Sequence, residues 1–126
     1  MRGIASKTRG SKPWSWDDVM LRTLAIYRSA GDGRERTAVL VWQGDAARVT
    51  VGGATPALLA VTVDAEDEAG AENTIAIAGF ESLEAARAHC VGWAGTAAEV
   101  GWSTLGEAAQ VGVYAAIREP GFAEPG

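Results

Sequence analysis

The chain has 126 residues, 48% of them hydrophobic, and a formal net charge of −5 at pH 7, values typical of one globular domain. Its single cysteine excludes an internal disulfide and a multi-cysteine zinc site, and its single histidine excludes a multi-histidine site within one chain. No run reaches the roughly 18–20 apolar residues of a membrane span, and no apolar stretch follows the basic N-terminus as in a signal peptide. We therefore expect a cytoplasmic protein without membrane contact.

Charge is distributed unevenly along the chain. Residues 1–13 carry four basic residues and no acid, whereas the remainder carries seven arginines against 16 acids. We predict a disordered basic arm over 1–13, a single α+β domain over 14–119 and a flexible tail over 120–126. Because a net-acidic domain lacks the clustered Lys and Arg that phosphates require, we expect no nucleic-acid partner apart from a contact made by the basic arm. The excess of arginine over lysine, 9 to 2, is typical of a GC-rich genome and points to a bacterial protein.

The first predicted element is a helix that starts at Ser15 and ends near Ala30. Ser15 and Asp18 have the spacing of a capping box, and apolar residues then recur every three or four positions. Strands are predicted next at residues 37–43, 47–51, 58–64 and 74–78. The short connections between these strands favour an antiparallel meander.

A second long helix is predicted to begin after Ser82, which is a suitable N-cap residue. Alternating apolar residues over 111–117 favour a final strand. Thr104 and Glu107 have capping-box spacing, however, and leave a helix over 104–117 as the alternative. The predicted fold class is α+β: an antiparallel sheet of four to five strands, with the N-terminal helix and the second long helix packed mainly on one face.

No motif in the sequence predicts a specific chemistry. Carboxylates are concentrated in the loop 64–72, but their spacing does not fit a calcium-binding EF-hand, and a solvated loop is the simpler interpretation. His89 and Cys90 are adjacent on a predicted helix, where neighbouring side chains point about 100° apart and do not face each other as a catalytic pair. We therefore predict no catalytic residue, no metal site and no cofactor, and we favour a non-enzymatic function.

Five tryptophans are many for this length, and they supply two functional hypotheses. In the first, the protein is a small binding or accessory module that acts through protein–protein interaction, with Trp14, Trp102 and Tyr114 contacting the partner or a ligand. The partner is another protein or, through an exposed sheet edge, a second copy in a homodimer. In the alternative, the protein is a cofactor-free small-molecule binder or enzyme. Its aromatic pocket between helix and sheet is then lined by Trp16, Tyr27, Trp42 and Trp93.

Overall fold

The computed structural model describes residues 15–31, 34–44, 49–66 and 74–118 of the chain. The predicted basic arm, Trp14, most of the acidic loop and the predicted C-terminal tail lie outside these ranges. Four strands form one antiparallel sheet, and they lie side by side in chain order: β1 (Thr23–Gly31), β2 (Arg34–Trp42), β3 (Leu58–Glu66) and β4 (Thr74–Phe80). The helices are α1 (Trp16–Arg22), α2 (Leu83–Ala94) and α3 (Glu107–Arg118), with a 3₁₀ turn at Trp102–Thr104. The fold class is α+β, as predicted.

The register of the sheet aligns a row of β-branched residues across all four strands. Ile26 on β1 lies opposite Val39 on β2. Val39 in turn lies opposite Val61 on β3, and Val61 lies opposite Ile77 on β4. Cross-strand pairs of this kind stabilise a sheet by about 0.2–1 kcal/mol each relative to alanine pairs. The row therefore fixes the register along one face, because a slip of one residue would turn every member of the row to the other face.

Both faces of the sheet are covered by helices. The face with Ile26 and Val39 packs against α1 and α3, and the face with Tyr27 and Ala38 packs against α2. The predicted placement of the two helices on one face is not confirmed. Successive residues of β2 such as Val39 and Leu40 are both fully buried, so each face of the strand needs its own apolar cover.

The structure corrects the predicted first helix, which ends at Arg22 instead of near Ala30. From Thr23 onward the chain is β1, in which Ile26 and Tyr27 are buried on opposite faces of the sheet. Pairing with β2 supplies backbone hydrogen bonds and burial on two sides along this length. These tertiary contacts override the helical spacing of the apolar residues, since local propensity is a weak preference.

The predicted strand at 47–51 lies partly outside the described residues, and its described part does not join the sheet. Val51 instead forms an isolated bridge with Ala54. Gly52 and Gly53 make the turn between them with positive φ angles of 61° and 84°, which residues with a side chain rarely adopt. The described part of the segment between β2 and β3 is therefore a connection rather than a fifth strand.

The predicted strand at 111–117 is wrong, and the alternative of a helix over 104–117 is confirmed in its main part as α3. The buried residues of α3 recur every three or four positions: Ala109, Val113, Ala116 and Ile117. Gly112 permits close packing of α3 on the sheet, because a Cβ atom there would lie 3.2 Å from Ile75 Cδ1. The alternation misled the prediction because it placed Val111, which is 59% exposed, on the inner face and Gly112 and Ala116, which are buried, on the outer face.

The second predicted helix is α2, and its termini carry standard caps. Ser82 Oγ accepts a hydrogen bond from Ala85 N at 3.2 Å, and Gly95 ends the helix with a φ angle of 76°. At 12 residues each, α2 and α3 are the longest of the described helices. Within the described ranges, no helix has both the length and the apolar character that crossing a membrane requires.

Candidate functional site

Helix α1 places Trp16 beside α3. Ser15 caps the helix: its Oγ accepts a hydrogen bond from Asp18 N, and its own N–H donates to Asp18 Oδ2, both at 3.1 Å. One turn later Val19 is fully buried in the core under α3. Thr23 Oγ1 donates to the carbonyl oxygen of Val19 at 2.8 Å, where the helix ends. A seven-residue helix is not stable alone in water, so these contacts determine where the Trp16 ring lies.

Three aromatic rings meet at this junction. The centroid of Trp16 lies 4.8 Å from that of Trp102 and 5.3 Å from that of Tyr114, with interplanar angles of 70° and 88°. Such edge-to-face pairs contribute about 0.5–1.5 kcal/mol beyond their buried area. Gln110 Nε2 donates to the carbonyl oxygens of Trp102 at 3.3 Å and Leu105 at 3.0 Å, which ties the 3₁₀ turn to α3. The cluster is therefore held from three elements.

A surface pocket of about 240 Å³ opens on one side of the cluster. Its lining residues are Trp16, Glu107, Gln110, Val111 and Tyr114. Two nearly perpendicular rings and a carboxylate form its walls, and the side chain of Val111 is 59% exposed at its rim. Aromatic ring faces attract cations, and a carboxylate neutralises the charge of a bound cation. The pocket therefore has the composition of a receptor for one cationic or amphipathic side chain.

Another depression, of about 210 Å³, is lined in part by Trp102. Met20 and Leu24 also line it and are 40% and 49% exposed. Glu99 lines it as well, and its carboxylate accepts a hydrogen bond from Arg87 at 3.3 Å. Trp16 lines the first depression and Trp102 lines the second, and the two rings are in contact, so the depressions adjoin each other. We refer to the following residues together as the aromatic surface: Trp16, Met20, Leu24, Trp102, Val111 and Tyr114.

The structure brings together some of the predicted site residues and separates others. Trp102 and Tyr114, predicted as contact residues, both touch Trp16, while Trp14 lies outside the described residues. Among the four residues of the alternative pocket, Tyr27 and Trp93 pack with α2, on the face opposite to Trp16. The remaining one, Trp42, is exposed. The structure therefore does not bring these four rings into one pocket between helix and sheet.

Tyr27 is fully buried, and its hydroxyl has no hydrogen-bond partner among the residues that the structure describes. Burial raises its pKa above the usual value of 10.0; the positive charge of Arg87 lowers it in part, and Glu99 and Cys90 raise it further. A phenol whose pKa is raised by folding stabilises the folded state below the unfolded pKa, and this stability is lost as the pH rises through the folded pKa. The contribution of Tyr27 to folding stability is therefore complete below pH 10, and it is lost as the pH rises through the raised pKa of the folded state.

Replacing Tyr27 with phenylalanine is expected to leave the free energy of unfolding at pH 7 unchanged or raise it by about 1 kcal/mol, because no hydrogen bond is removed. Above pH 10 the variant is expected to lose less stability than the wild type, since it has no phenol to ionise in the core. Urea denaturation at the two pH values measures both effects. A loss of more than about 1 kcal/mol at pH 7 would show that the hydroxyl is bonded.

The sequence prediction missed three residues of the pocket: Glu107, Gln110 and Val111. Together with Tyr114 they occupy positions i, i+3, i+4 and i+7, which is one face of a helix. This signal was present in the sequence, but it becomes visible only when the segment is taken as helical rather than as a strand. The exposed face of α3 is therefore defined by the same 3.6-residue period as its buried face.

The two candidate reactive side chains on α2, Cys90 and His89, lie in different environments. Cys90 is fully buried, and burial raises the pKa of its thiol to about 11, so the thiolate is scarce at pH 7. His89 is exposed, and its ring lies 5.2 Å from that of Phe80. Within the described part of the chain, no group of three His, Cys, Asp or Glu side chains is placed to hold a metal ion.

The chain is thus an α+β protein with an antiparallel meander, helices on both faces and an aromatic pocket where α1 meets α3. Comparison with protein-family models, with curated proteins and with solved structures finds no match. A function is therefore inferred from the chemistry of the aromatic surface itself.

Proposed function

We propose that the protein is a non-enzymatic binding module that contacts a protein partner through the aromatic surface, with the pocket at Trp16 and Tyr114 receiving a basic side chain. The observation that carries this proposal is the pair of nearly perpendicular rings beside the carboxylate of Glu107. A cytoplasmic location, expected from the sequence, is kept as part of the proposal.

A basic side chain fits this pocket for two physical reasons. A cation over an aromatic face gains about 0.5–1 kcal/mol when exposed and about 2 kcal/mol when desolvated. The carboxylate of Glu107 adds an attraction that strengthens as the partner excludes water. The domain outside residues 1–13 has seven arginines against 16 acids, so its overall field also attracts a basic partner and raises the association rate.

The extent of the aromatic surface favours a macromolecular partner. Exposed apolar side chains continue beyond the pocket: Met20 on α1 and Leu24 at the start of β1 line the neighbouring depression and are 40% and 49% exposed. A cluster of exposed apolar side chains with charged residues around it is typical of a protein–protein contact. A small ligand would fill the pocket at Tyr114 and leave this remainder in water.

Selection from a library of random displayed peptides tests the proposal. Enriched peptides are expected to contain an Arg or Lys beside apolar residues. Replacing Glu107 with glutamine is expected to weaken their binding by about 3- to 10-fold, since about 0.7–1.4 kcal/mol of attraction is removed. Fluorescence anisotropy with a labelled peptide measures the change.

The matched control is the same substitution at Glu84, which is also an exposed acid in the first turn of a helix but lies on α2. Glu84→Gln is expected to bind the peptides as the wild type does. Enrichment of peptides without a basic residue, or equal loss in the two variants, would contradict a cation pocket at Glu107.

A further inference from the structure

The two edges of the sheet differ in whether another segment of the chain pairs with them. At the β1 edge, Val100 N donates to the carbonyl oxygen of Ile26 at 2.9 Å, and Tyr27 forms a bridge with Glu99. The segment after α2 therefore covers this edge. Strand β4 forms the opposite edge, and among the described residues it pairs only with β3. A row of backbone N–H and C=O groups on an open edge is a template for another strand.

Strand β4 lacks the features by which natural proteins protect an edge. Its seven residues, Thr74–Phe80, include no charged residue and no proline, both of which normally discourage edge pairing. The first acid after the strand, Glu81, is turned toward its own chain, where Oε2 accepts a hydrogen bond from Ala57 N at 3.2 Å. Ile75 and Ile77 are only half-buried although they face the larger core.

We infer that β4 pairs antiparallel with the β4 strand of a second copy, forming a two-fold dimer with a continuous eight-stranded sheet. This inference uses an edge separate from the aromatic surface and does not rest on the proposed function. The centre of the seven-residue strand is Ile77, so full-length symmetric pairing places Ile77 opposite Ile77 of the partner subunit. Isologous contacts of this kind close on themselves and give dimers rather than filaments.

The register that follows from this symmetry matches side chains by size. Ile75 lies opposite Gly79 of the partner subunit, and Thr74 lies opposite Phe80 of the partner subunit. On the α3 face the two copies of Ile77 thus meet each other, and Ile75 lies beside the partner subunit's Pro56, which covers Gly79 of the same strand: a Cβ atom at Gly79 would lie 2.4 Å from Pro56 Cγ. On the other face the exposed Ala76 lies opposite Ala78 of the partner subunit, so two small side chains pair there.

The occupant is a second copy rather than an unrelated strand because the match is internal to β4. A foreign strand would need an apolar side chain of matching size opposite Ile77 and another that fits beside Pro56. The neutrality of β4 also matters, because the domain is net acidic and two copies repel each other through most of their surface. Because β4 itself carries no charge, its pairing places no like charges directly opposite each other along the strand.

Analytical ultracentrifugation of the full chain over a range of concentrations tests the dimer, with Ala76→Lys as the decisive variant. Lys side chains at this position in the two copies lie diagonally across the pair, about 7–8 Å apart, and repel each other. The wild type is expected to show a reversible monomer–dimer equilibrium. Ala76→Lys is expected to weaken dimerisation by about two- to fivefold.

The control is Ala88→Lys, the same substitution at an exposed position on α2, which is expected to dimerise as the wild type does. Circular dichroism verifies that each variant is folded, and Ala76→Glu, which places two like charges at the same diagonal positions, replaces Ala76→Lys if that variant is not. A wild type that remains monomeric at every concentration would overturn the inference. So would a dimer that forms with unchanged affinity in Ala76→Lys, or one that both variants weaken equally.

Discussion

Replacing Gln43 with leucine is expected to lower the free energy of unfolding by about 3–5 kcal/mol. Gln43 follows β2, and its side chain is fully buried. Its Nε2 donates to the carbonyl oxygens of Val49 at 3.0 Å and Pro56 at 2.6 Å, while its Oε1 accepts from Val49 N at 3.2 Å. Leucine has a similar size but leaves all three backbone groups without a partner, and each costs about 1–3 kcal/mol when buried.

Gln43→Glu separates the donor role from the acceptor role. A carboxylate keeps the acceptor for Val49 N but cannot donate to the two carbonyl oxygens, and it is a buried charge. Burial raises the pKa of such a carboxyl in the folded state, so stability is retained at low pH and lost as the pH rises through the folded pKa. Urea denaturation between pH 4 and pH 8 measures this slope. A pH-independent difference from the wild type would show that the side chain at this position reaches solvent.

Replacing Arg28 with methionine is expected to lower the free energy of unfolding by about 2–4 kcal/mol. Arg28 Nε donates to Glu35 Oε2, and Glu35 is only 6% exposed. Without the guanidinium, the buried carboxylate keeps the N–H of Gly106, at 3.4 Å, as a donor. The expected loss is below the full cost of an unpaired buried charge because the Arg28 side chain is 31% exposed, which admits water to the pair.

Glu35→Gln provides the comparison for this pair. The amide is neutral and still accepts from Gly106 N, so the expected loss is about 1 kcal/mol. The double variant Arg28→Met/Glu35→Met is expected to be more stable than Arg28→Met alone, because no buried charge remains at this site. Denaturant unfolding of the three variants measures the order. Equal losses in Arg28→Met and Glu35→Gln would contradict a buried carboxylate that depends on the arginine.

The Glu35 interaction also links the sheet to the aromatic surface. Gly106 immediately precedes α3, and a Cβ atom there would lie 2.9 Å from Glu35 Oε1. The carboxylate therefore sets where α3 begins, and Glu107 and Gln110 follow within the first turn of the helix. The sequence gives no indication of this pairing, because Glu35 and Gly106 are 71 positions apart and meet only through the fold.

Local signals predicted the parts of the fold that depend on neighbours in the sequence. The N-cap residues Ser15 and Ser82 and the apolar run of β2 were sufficient to locate the starts of two helices and a central strand. Residues 23–30 were predicted as helix because Thr23, Leu24 and Tyr27 continue the helical spacing of the apolar residues before them. Pairing with β2 makes this segment a strand instead, and that is a long-range effect.

The candidate site was predicted only in part for a related reason. Trp102 and Tyr114 were selected as contact residues, but Trp16 was assigned to a different pocket. Trp16 is far from Trp102 and Tyr114 in the sequence. The three rings are in contact only because residues 107–118 form a helix. With a strand predicted there, Glu107 and Tyr114 had no common face, and the pocket could not be recognised.

The most direct test of the aromatic surface is nuclear magnetic resonance of the five tryptophan indole N–H groups during titration with a short arginine-containing peptide. The proposed function predicts shifts of Trp16 and Trp102, while Trp42 and Trp93, which lie away from the pocket, remain unchanged. The same peptide with citrulline in place of arginine, which is uncharged, is expected to cause smaller shifts. Equal shifts with both peptides, or shifts confined to Trp42 and Trp93, would contradict a cation-binding pocket at Trp16.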